Sequence, residues 1–505
     1  MQNLLIAVPQ LEIHRPPISI AAVASSIKKA GFNIDCLDLN IDFFHYVGKE
    51  MYYEFEQVWE QSREETKQEK EIIEKFLFNE VLPKLINIDR LMISVFGRNS
   101  TVFTQYLTSF IKKHKPEIEI ILGGQGCFTT KIADNDKRDF SEYMLEMGNC
   151  DHVIYGEGEK AIIEFLNGNI SYPGIDNSMN HTQVIDLNTI PFPDYSYFDL
   201  DRYQYLDGKK EIFIIGSRGC VRKCTYCDVA RYWPKYRWRD GDNIADELIM
   251  NYEKFGVNHF YFTDSLVNGS LKAFRGMCKK LAEYNNTHKA GFNWRGQFIF
   301  RPTKQVSPEH FDMIKEAGGD SFYVGIETGS DKVRYEMDKK FTNDDIDYHL
   351  EQFERTKLKC FFLMITGYLT ETIKDHNDTL AMFKRWQKYV ATGTITGVDV
   401  SPALLFLPGS PLERMIESHQ VEFIRNGRDA IGNETPHPQM WESKLNPDLT
   451  IKERIRRRIE VNEEAIKYMW PMWRGPQRMK SVLNLTKMYL NDDTVVIDDD
   501  QFERT

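Results

Sequence analysis

Three of the chain's eight cysteines, Cys220, Cys224 and Cys227, fall within eight residues of one another in the stretch GSRGCVRKCTYCDVARYW (216–233). Their spacing is C-x3-C-x2-C, and thiolates placed so closely are suited to holding a soft metal centre. A structural zinc site normally takes four protein ligands, and no nearby cysteine or histidine offers itself as the fourth. Three thiolates suit a cubane iron–sulfur cluster with one iron left open to a ligand from outside the protein. The alternative is three buried cysteines with a purely structural role. Cys36, Cys127, Cys150, Cys278 and Cys360 are scattered without a framework. That argues against a disulfide scaffold and for a metal or redox cluster in a reducing compartment.

The cysteines need an element that presents them, and the stretch just before them reads as a strand, EIFIIGSRG (211–219). Five more candidate strands follow: NHFYFTD (258–264), FNWRGQFIF (292–300), SFYVGIE (321–327), KCFFLMITGY (359–368) and GVDVSPALLFL (397–407), with helix-like segments between them. Such a series predicts a partial (β/α)6 barrel over residues 211–410, whose active groups belong at the C-terminal ends of the strands. Arg295 and Gln297 alternate on the third strand and therefore face one side. Arg301 lies at its end.

Residues 1–170 also alternate strands with helices. NLLIAVP (3–9), NIDCLDL (33–39), LMISVF (91–96), IEIILGG (118–124) and DHVIYG (151–156) are bounded by turn residues, and SIAAVASSIKKAG (19–31) is an amphipathic helix closed by glycine. The pattern predicts a doubly wound, Rossmann-like parallel sheet, an α/β fold. An insertion at 41–88 carries the charged helix EQSREETKQEKEIIEKF, read as a solvated face. Residues 171–210 form a linker rich in proline and aromatic residues, and the region from 411 to 505 is mainly helical.

The cysteine loop resembles that of the radical S-adenosylmethionine (SAM) superfamily in both spacing and position. In that family the loop after the first barrel strand holds a [4Fe–4S] cluster whose open iron chelates the amino and carboxylate groups of SAM. An electron from the cluster then cleaves SAM to methionine and a 5′-deoxyadenosyl radical. The resemblance implies that Tyr226 is the aromatic residue before the third cysteine and that Asp264, in FTDS, is the acidic residue near the SAM ammonium or ribose. It also implies that Gly325, Glu327 and Ser330, in VGIETGS (324–330), are the segment beside SAM. Arg301 is placed where a guanidinium could meet the SAM carboxylate, and Arg295 and Gln297 point into the barrel. For each polar strand-end residue the alternative is a cap or turn. FLPGSPL (406–412) resembles a late structural turn of the family, whereas ITGYLTET (365–372) departs from its usual G-x-PGET ending.

The first domain resembles the cobalamin-binding domain that precedes the barrel in one large subgroup, through ISVFGRNS (93–100), LGGQ (122–125) and YGEGE (155–159). On that resemblance Ser94, Phe96, Gly123 and Gly124 admit the nucleotide tail, with Gly156 and Glu157 in the last of these motifs. Arg98 approaches the lower face of cobalt without ligating it. The D-x-H-x-x-G signature that supplies a cobalt-ligating histidine is absent, and His45, in DLNIDFFHYVG (38–48), is read as a surface or packing residue. The same glycines would also serve as tight turns in a domain that had lost its ligand.

The resemblance implies a cobalamin-dependent methyltransferase acting on an unactivated carbon. A radical SAM cyclase, rearrangement or oxidation enzyme with a vestigial or non-methylating cobalamin domain is the second reading, and a non-catalytic iron–sulfur protein the third. A small-molecule or peptide substrate and an electron donor such as flavodoxin or ferredoxin are the expected partners. In the tail, His437, Trp441, Trp470 and Trp473 could wall a substrate pocket or belong to the core. The charge balance, 64 Lys and Arg against 75 Asp and Glu, gives −11 and argues against nucleic-acid binding through phosphate neutralisation. No apolar run approaches the roughly 18 residues of a membrane span, and the N-terminus lacks the zones of a secretory signal, so the expected location is cytoplasmic.

Overall fold

The computed structural model describes residues 1–472 except 10, 61–64, 128–138, 179–182, 401–403, 408, 419, 425, 429–433 and 437–439. The chain divides into two compact units, one of Met1–Phe213 with Arg428–Asn433, the other of Ile214–Gly427 with Glu434–Thr505.

In the first unit, strands β1 (Asn3–Ala7), β2 (Ile34–Asp38), β3 (Arg90–Ser94), β4 (Glu119–Gly123) and β5 (His152–Ile154) form one parallel sheet in the order β2-β1-β3-β4-β5. The near-continuous apolar runs of β1, β3 and β4 follow from this position, since a parallel strand covered by helices is buried on both faces. Between β1 and β3 the winding reverses, and in open α/β sheets that switch point opens a ligand crevice beyond the carboxyl ends of the strands.

The insertion between β2 and β3 folds as helices, and its charged segment is not solvated all round. The helix Lys67–Phe76 is closed at its start by a capping box between Thr66 and Glu69, while Ile73 and Phe76 are fully buried. Phe76 meets Phe43 edge-on at 5.1 Å, and Phe43 meets Phe55 at the same distance. The i, i+3 pair of apolar residues thus anchors a helix whose remaining positions are charged. The segment 183–210 packs on this unit: Tyr203 donates to Asp38 at 2.9 Å and Tyr195 to the Phe213 carbonyl at 2.6 Å.

The second unit contains β6 (Glu211–Ile214), which starts in the first, then β7 (Ser217–Arg218), β8 (Arg237–Trp238), β9 (His259–Phe262), β10 (Asn293–Gln297), β11 (Gly319–Glu327), β12 (Lys359–Met364) and β13 (Ile395–Asp399). Six of these make a sheet in the order β13-β12-β11-β10-β9-β6, parallel from β9 to β13, and β7 pairs with β8 as a two-residue antiparallel ladder. Helices connect successive strands of the large sheet, giving the (β/α)6 arrangement. Phe260, Phe262, Trp294, Phe322, Val324 and Phe362 are buried on one face. The opposite face carries Tyr261, Arg295, Gln297, Tyr323 and Phe361, all half-buried.

Among the described residues, the apolar run read as a strand over 397–407 pairs only as far as Asp399. Leu404 and Phe406 instead enter a core cluster with Val333, Leu369, Leu412 and Trp441, which accounts for their hydrophobicity without a ladder. The C-terminal region holds the helices Glu413–Glu417 and Ile451–Lys467, and two short strand pairs, Val421–Phe423 with Trp441–Ser443 and Asn426–Arg428 with Glu434–Pro436. Three-residue strands are too short to register as alternation. Beyond the long helix, Val398 of β13 donates to the Pro471 carbonyl at 2.8 Å, so the C-terminal segment covers that edge of the sheet. Among the described residues no helix is long and apolar enough to cross a membrane.

Candidate active site

The cysteine loop leaves the carboxyl end of β6 through a turn that glycine makes possible. Gly219 has φ +81°, and a Cβ there would lie 2.8 Å from the Lys235 carbonyl. The β7–β8 ladder closes around this point. Asp264, just past β9, secures the same turn: it accepts from the Gly216 backbone at 2.8 Å and from the Ser217 hydroxyl. Its side chain is buried, and that burial raises the carboxyl from 3.8 to about 6. Ser217, Tyr236, Trp238, Arg239 and Ser270 line a small cavity with it.

Thr225, between the second and third cysteines, pins the loop to three distant segments. Its N–H donates to the Met337 carbonyl at 3.3 Å, its carbonyl accepts from Leu412 at 3.0 Å, and its hydroxyl lies 2.9 Å from that of Tyr368. Cys224 is buried, while Cys220 and Cys227 are half-buried. The Arg222 backbone donates to Cys220 Sγ at 3.4 Å. Burial pushes all three thiols up, Cys227 to about 11, while the nearby Lys339 ammonium pulls Cys220 and Cys224 back. Among the described residues no three Cys, His, Asp or Glu side chains converge on a position for a single metal ion. A cubane makes a different demand, because each thiolate binds its own iron corner. Three thiols on one secured loop, one accepting from a backbone N–H and two eased down by a nearby ammonium, fit that group better than a zinc ion.

Glu327 ends β11 in the left-handed region, with φ +64°. Its carboxylate accepts from the Tyr226 hydroxyl at 2.7 Å and pairs with Lys339 at 2.6 Å. Gly325 leaves the room: a Cβ there would stand 2.3 Å from Glu327 Oε1 and 2.8 Å from Lys339 Nζ. Tyr226, Gly325 and Glu327 are thus brought together behind the cysteines, with Lys339 as a member that the motifs did not single out.

Most of the other barrel residues are engaged by the protein itself. Ser330 caps the helix Asp331–Glu336 and donates to Asp375 at 2.7 Å. Arg334, wholly buried, bonds the Ile326 and Thr328 carbonyls and Asp331, holding the turn after Glu327. Arg295 and Gln297 share one face of β10, with the Arg295 guanidinium 5.3 Å from the Tyr261 ring. Arg301 donates to the Asn268 and Gly269 carbonyls at 2.6 and 2.7 Å, tying two strand-end loops together. In the departing ITGYLTET segment, Glu371 forms a buried pair with Arg457 at 3.0 Å and Thr372 caps the next helix. Trp441 and Trp470 belong to the core, donating to the Leu404 and Phe383 carbonyls. His437 and Trp473 lie outside the described residues.

In the first unit, Ser94 and Gly123 end the neighbouring strands β3 and β4, and Phe96, just beyond, is 57% exposed. A Cβ at Gly123 would find only ordinary contacts with Ile154, 3.6 Å and more, so a methyl there is accommodated. Gly124 differs. At φ +102° an added Cβ would stand 2.4 Å from the Val95 carbonyl, so its glycine serves the fit between two loops of the protein itself. Arg98 opens the helix Arg98–His114, and its side chain is outside the described set. Gly156 has φ +88°, and Glu157 precedes the helix Gly158–Leu166 and accepts from the Val184 backbone. His45 is exposed, with Nε2 2.9 Å from the Arg202 carbonyl.

Residues 214–383 match the model of the radical SAM superfamily. The chain therefore carries a radical SAM domain. A cytidylyl-2-hydroxyethylphosphonate methyltransferase from Streptomyces wedmorensis is 23% identical over 45% of this chain and 49% of its own length. An anaerobic magnesium-protoporphyrin IX monomethyl ester cyclase from Rubrivivax gelatinosus is 23% identical over 55% of this chain and 51% of its own length. The chain thus spans about half the length of these curated relatives. Among solved structures, the cobalamin-dependent SAM radical enzyme OxsB, with aqua-cobalamin and SAM bound, aligns with TM-score 0.63 at 14% identity, over 97% of this chain and 72% of that one. The radical SAM methyltransferase TsrM from Kitasatospora setae, with cobalamin and a [4Fe–4S] cluster bound, aligns with TM-score 0.59 at 13% identity, over 85% and 78%. At these identities the likeness is one of fold.

Proposed function

We propose that the protein is a radical SAM enzyme that binds cobalamin and transfers a methyl group to an unactivated carbon of a small molecule or peptide. The observation that carries this reading is the secured three-cysteine loop at the carboxyl end of β6, in a chain whose other unit is a parallel sheet with an open switch point. Cys220, Cys224 and Cys227 would hold a [4Fe–4S] cluster, which supplies the electron for reductive cleavage of SAM. Glu327 and Tyr226 would orient SAM beside it, with Asp264 keeping the loop in register. In the first unit Ser94, Phe96 and Gly123 would border the nucleotide tail of cobalamin, and His45, already engaged by a backbone carbonyl, would not ligate cobalt. A flavodoxin- or ferredoxin-type donor in the cytoplasm would provide the electron.

The likeness to the magnesium-protoporphyrin ester cyclases favours a second reading, a cyclase or oxidation enzyme in which cobalamin carries no methyl. Anaerobic reconstitution with iron, sulfide and hydroxocobalamin, followed by desalting, separates the two. Cobalt retained with the chain and converted to methylcobalamin by SAM, together with 5′-deoxyadenosine formed from SAM and dithionite, supports the methyltransferase. Deoxyadenosine without methylcobalamin transfers the case to the second reading, and neither product refutes both.

A further inference from the structure

Lys339 has no part in the motifs that define the site, yet the fold takes unusual steps to place it. The residue is buried, and its ammonium is paired with Glu327 at 2.6 Å, 5.8 Å from the Tyr226 ring centroid. The residues on either side, Asp338 and Lys340, both lie in the left-handed region at φ +61° and +59°, and Glu327 does so at +64°. Left-handed backbone is costly for a non-glycine residue and persists only where the surroundings over-determine it. Here three such residues serve one ion pair. The segment is also tied to the cysteine loop, because Met337 accepts from the Thr225 N–H between Cys224 and Cys227.

Geometry sets the ion pair against the cysteine loop, since Glu327 also accepts from the hydroxyl of Tyr226, the residue immediately before Cys227, at 2.7 Å. Burial works against the Lys339 charge, but Glu327 beside it raises its hold on the proton. The same ammonium pulls the Cys220 and Cys224 thiols down against the rise that burial causes. In a desolvated site a nearby charge acts strongly.

Resting on the proposal that these cysteines hold an iron–sulfur cluster, we propose that Lys339 is a positioning residue that sets the cluster's reduction potential, with Glu327 fixing its ammonium beside the cysteine loop. A fixed cation stabilises the added electron. Removing it makes reduction harder, and removing its counter-charge makes reduction easier.

The test is a redox titration of the full-length reconstituted protein, followed by the EPR signal of the reduced cluster, for wild type, Lys339→Met, Lys339→Arg and Glu327→Gln. Lys339→Met should disfavour reduction at least tenfold, a fall of about 59 mV for one electron. Glu327→Gln should shift the midpoint the opposite way, and Lys339→Arg should stay near wild type. If Lys339→Met loses iron while Lys339→Arg keeps it, the same charge is needed even to assemble the thiolates, which supports the proposal. Unchanged midpoints in Lys339→Met and Glu327→Gln with iron intact, or loss of iron from both Met and Arg variants, overturns it. Failure of the wild type to show any cluster signal would instead strike the underlying assignment of the cysteines.

Discussion

Replacing Asp264 by asparagine isolates what a buried charge does to the turn that delivers the cysteines. The carboxyl accepts from Gly216 and Ser217, and an amide of the same shape keeps one acceptor oxygen in place. Burial lifts the group from 3.8 to about 6. At about 1.4 kcal/mol for each tenfold in proton affinity, this corresponds to roughly 3 kcal/mol between the protonated and ionised folded forms. Because the folded state holds the proton more tightly than the unfolded chain, the stabilisation is fully present below about pH 4 and is lost as the pH rises through 6. About half of it, roughly 1–2 kcal/mol, falls between pH 5 and 7.5. For a domain of this size that is about 2–6 °C in Tm. The amide of Asp264→Asn cannot titrate, so the variant escapes that loss. Thermal unfolding of the second unit, followed by tryptophan fluorescence at several pH values, should show the variant gaining on wild type by this amount from pH 5 to 7.5. A Tm gap that does not move with pH would refute the reasoning, whatever its size.

The remaining expectations bear on packing, glycine and cysteine. Arg457→Met should lower the stability of the second unit by about 3–5 kcal/mol, because it leaves Glu371 buried without its partner; adding Glu371→Gln should recover much of the loss in the same melts. Gly124→Ala should destabilise the first unit by at least about 1 kcal/mol, since its Cβ would meet the Val95 carbonyl at a left-handed position, whereas Gly123→Ala should be tolerated. Comparing their unfolding midpoints checks this, and it makes position 123 rather than 124 the place to obstruct a cobalamin tail. Cys36→Ala and Cys360→Ala should leave the iron content unchanged after reconstitution, because both thiols are buried in the protein and remote from the loop in sequence.

Much of the site was legible because its chemistry is carried by residue type at short spacing. Three cysteines in eight residues after a strand, and a glycine before the first of them, are local facts, and alternation along the chain places the strands that must surround them. What holds the loop is of another kind. Thr225 is an unremarked position between two cysteines, and its partners at 337, 368 and 412 become neighbours only when the sheet is assembled. Lys339 stands in a run of charged residues with no motif to single it out, and the left-handed turns that carry it inward have no glycine to mark them. Gly124 illustrates the reverse difficulty, since a glycine that lets a ligand approach and one that lets a neighbouring loop approach look the same in sequence.

The central claim is that Cys220, Cys224 and Cys227 together hold a [4Fe–4S] cluster. Its most direct test is Mössbauer spectroscopy with iron counting on anaerobically reconstituted wild type and on the variant with all three replaced by alanine. The account predicts about four irons per chain as a cubane in the wild type, and none bound as a cluster in the variant. A full cubane spectrum in the triple variant, or a wild type that binds a single tetrahedral metal ion instead, would contradict it.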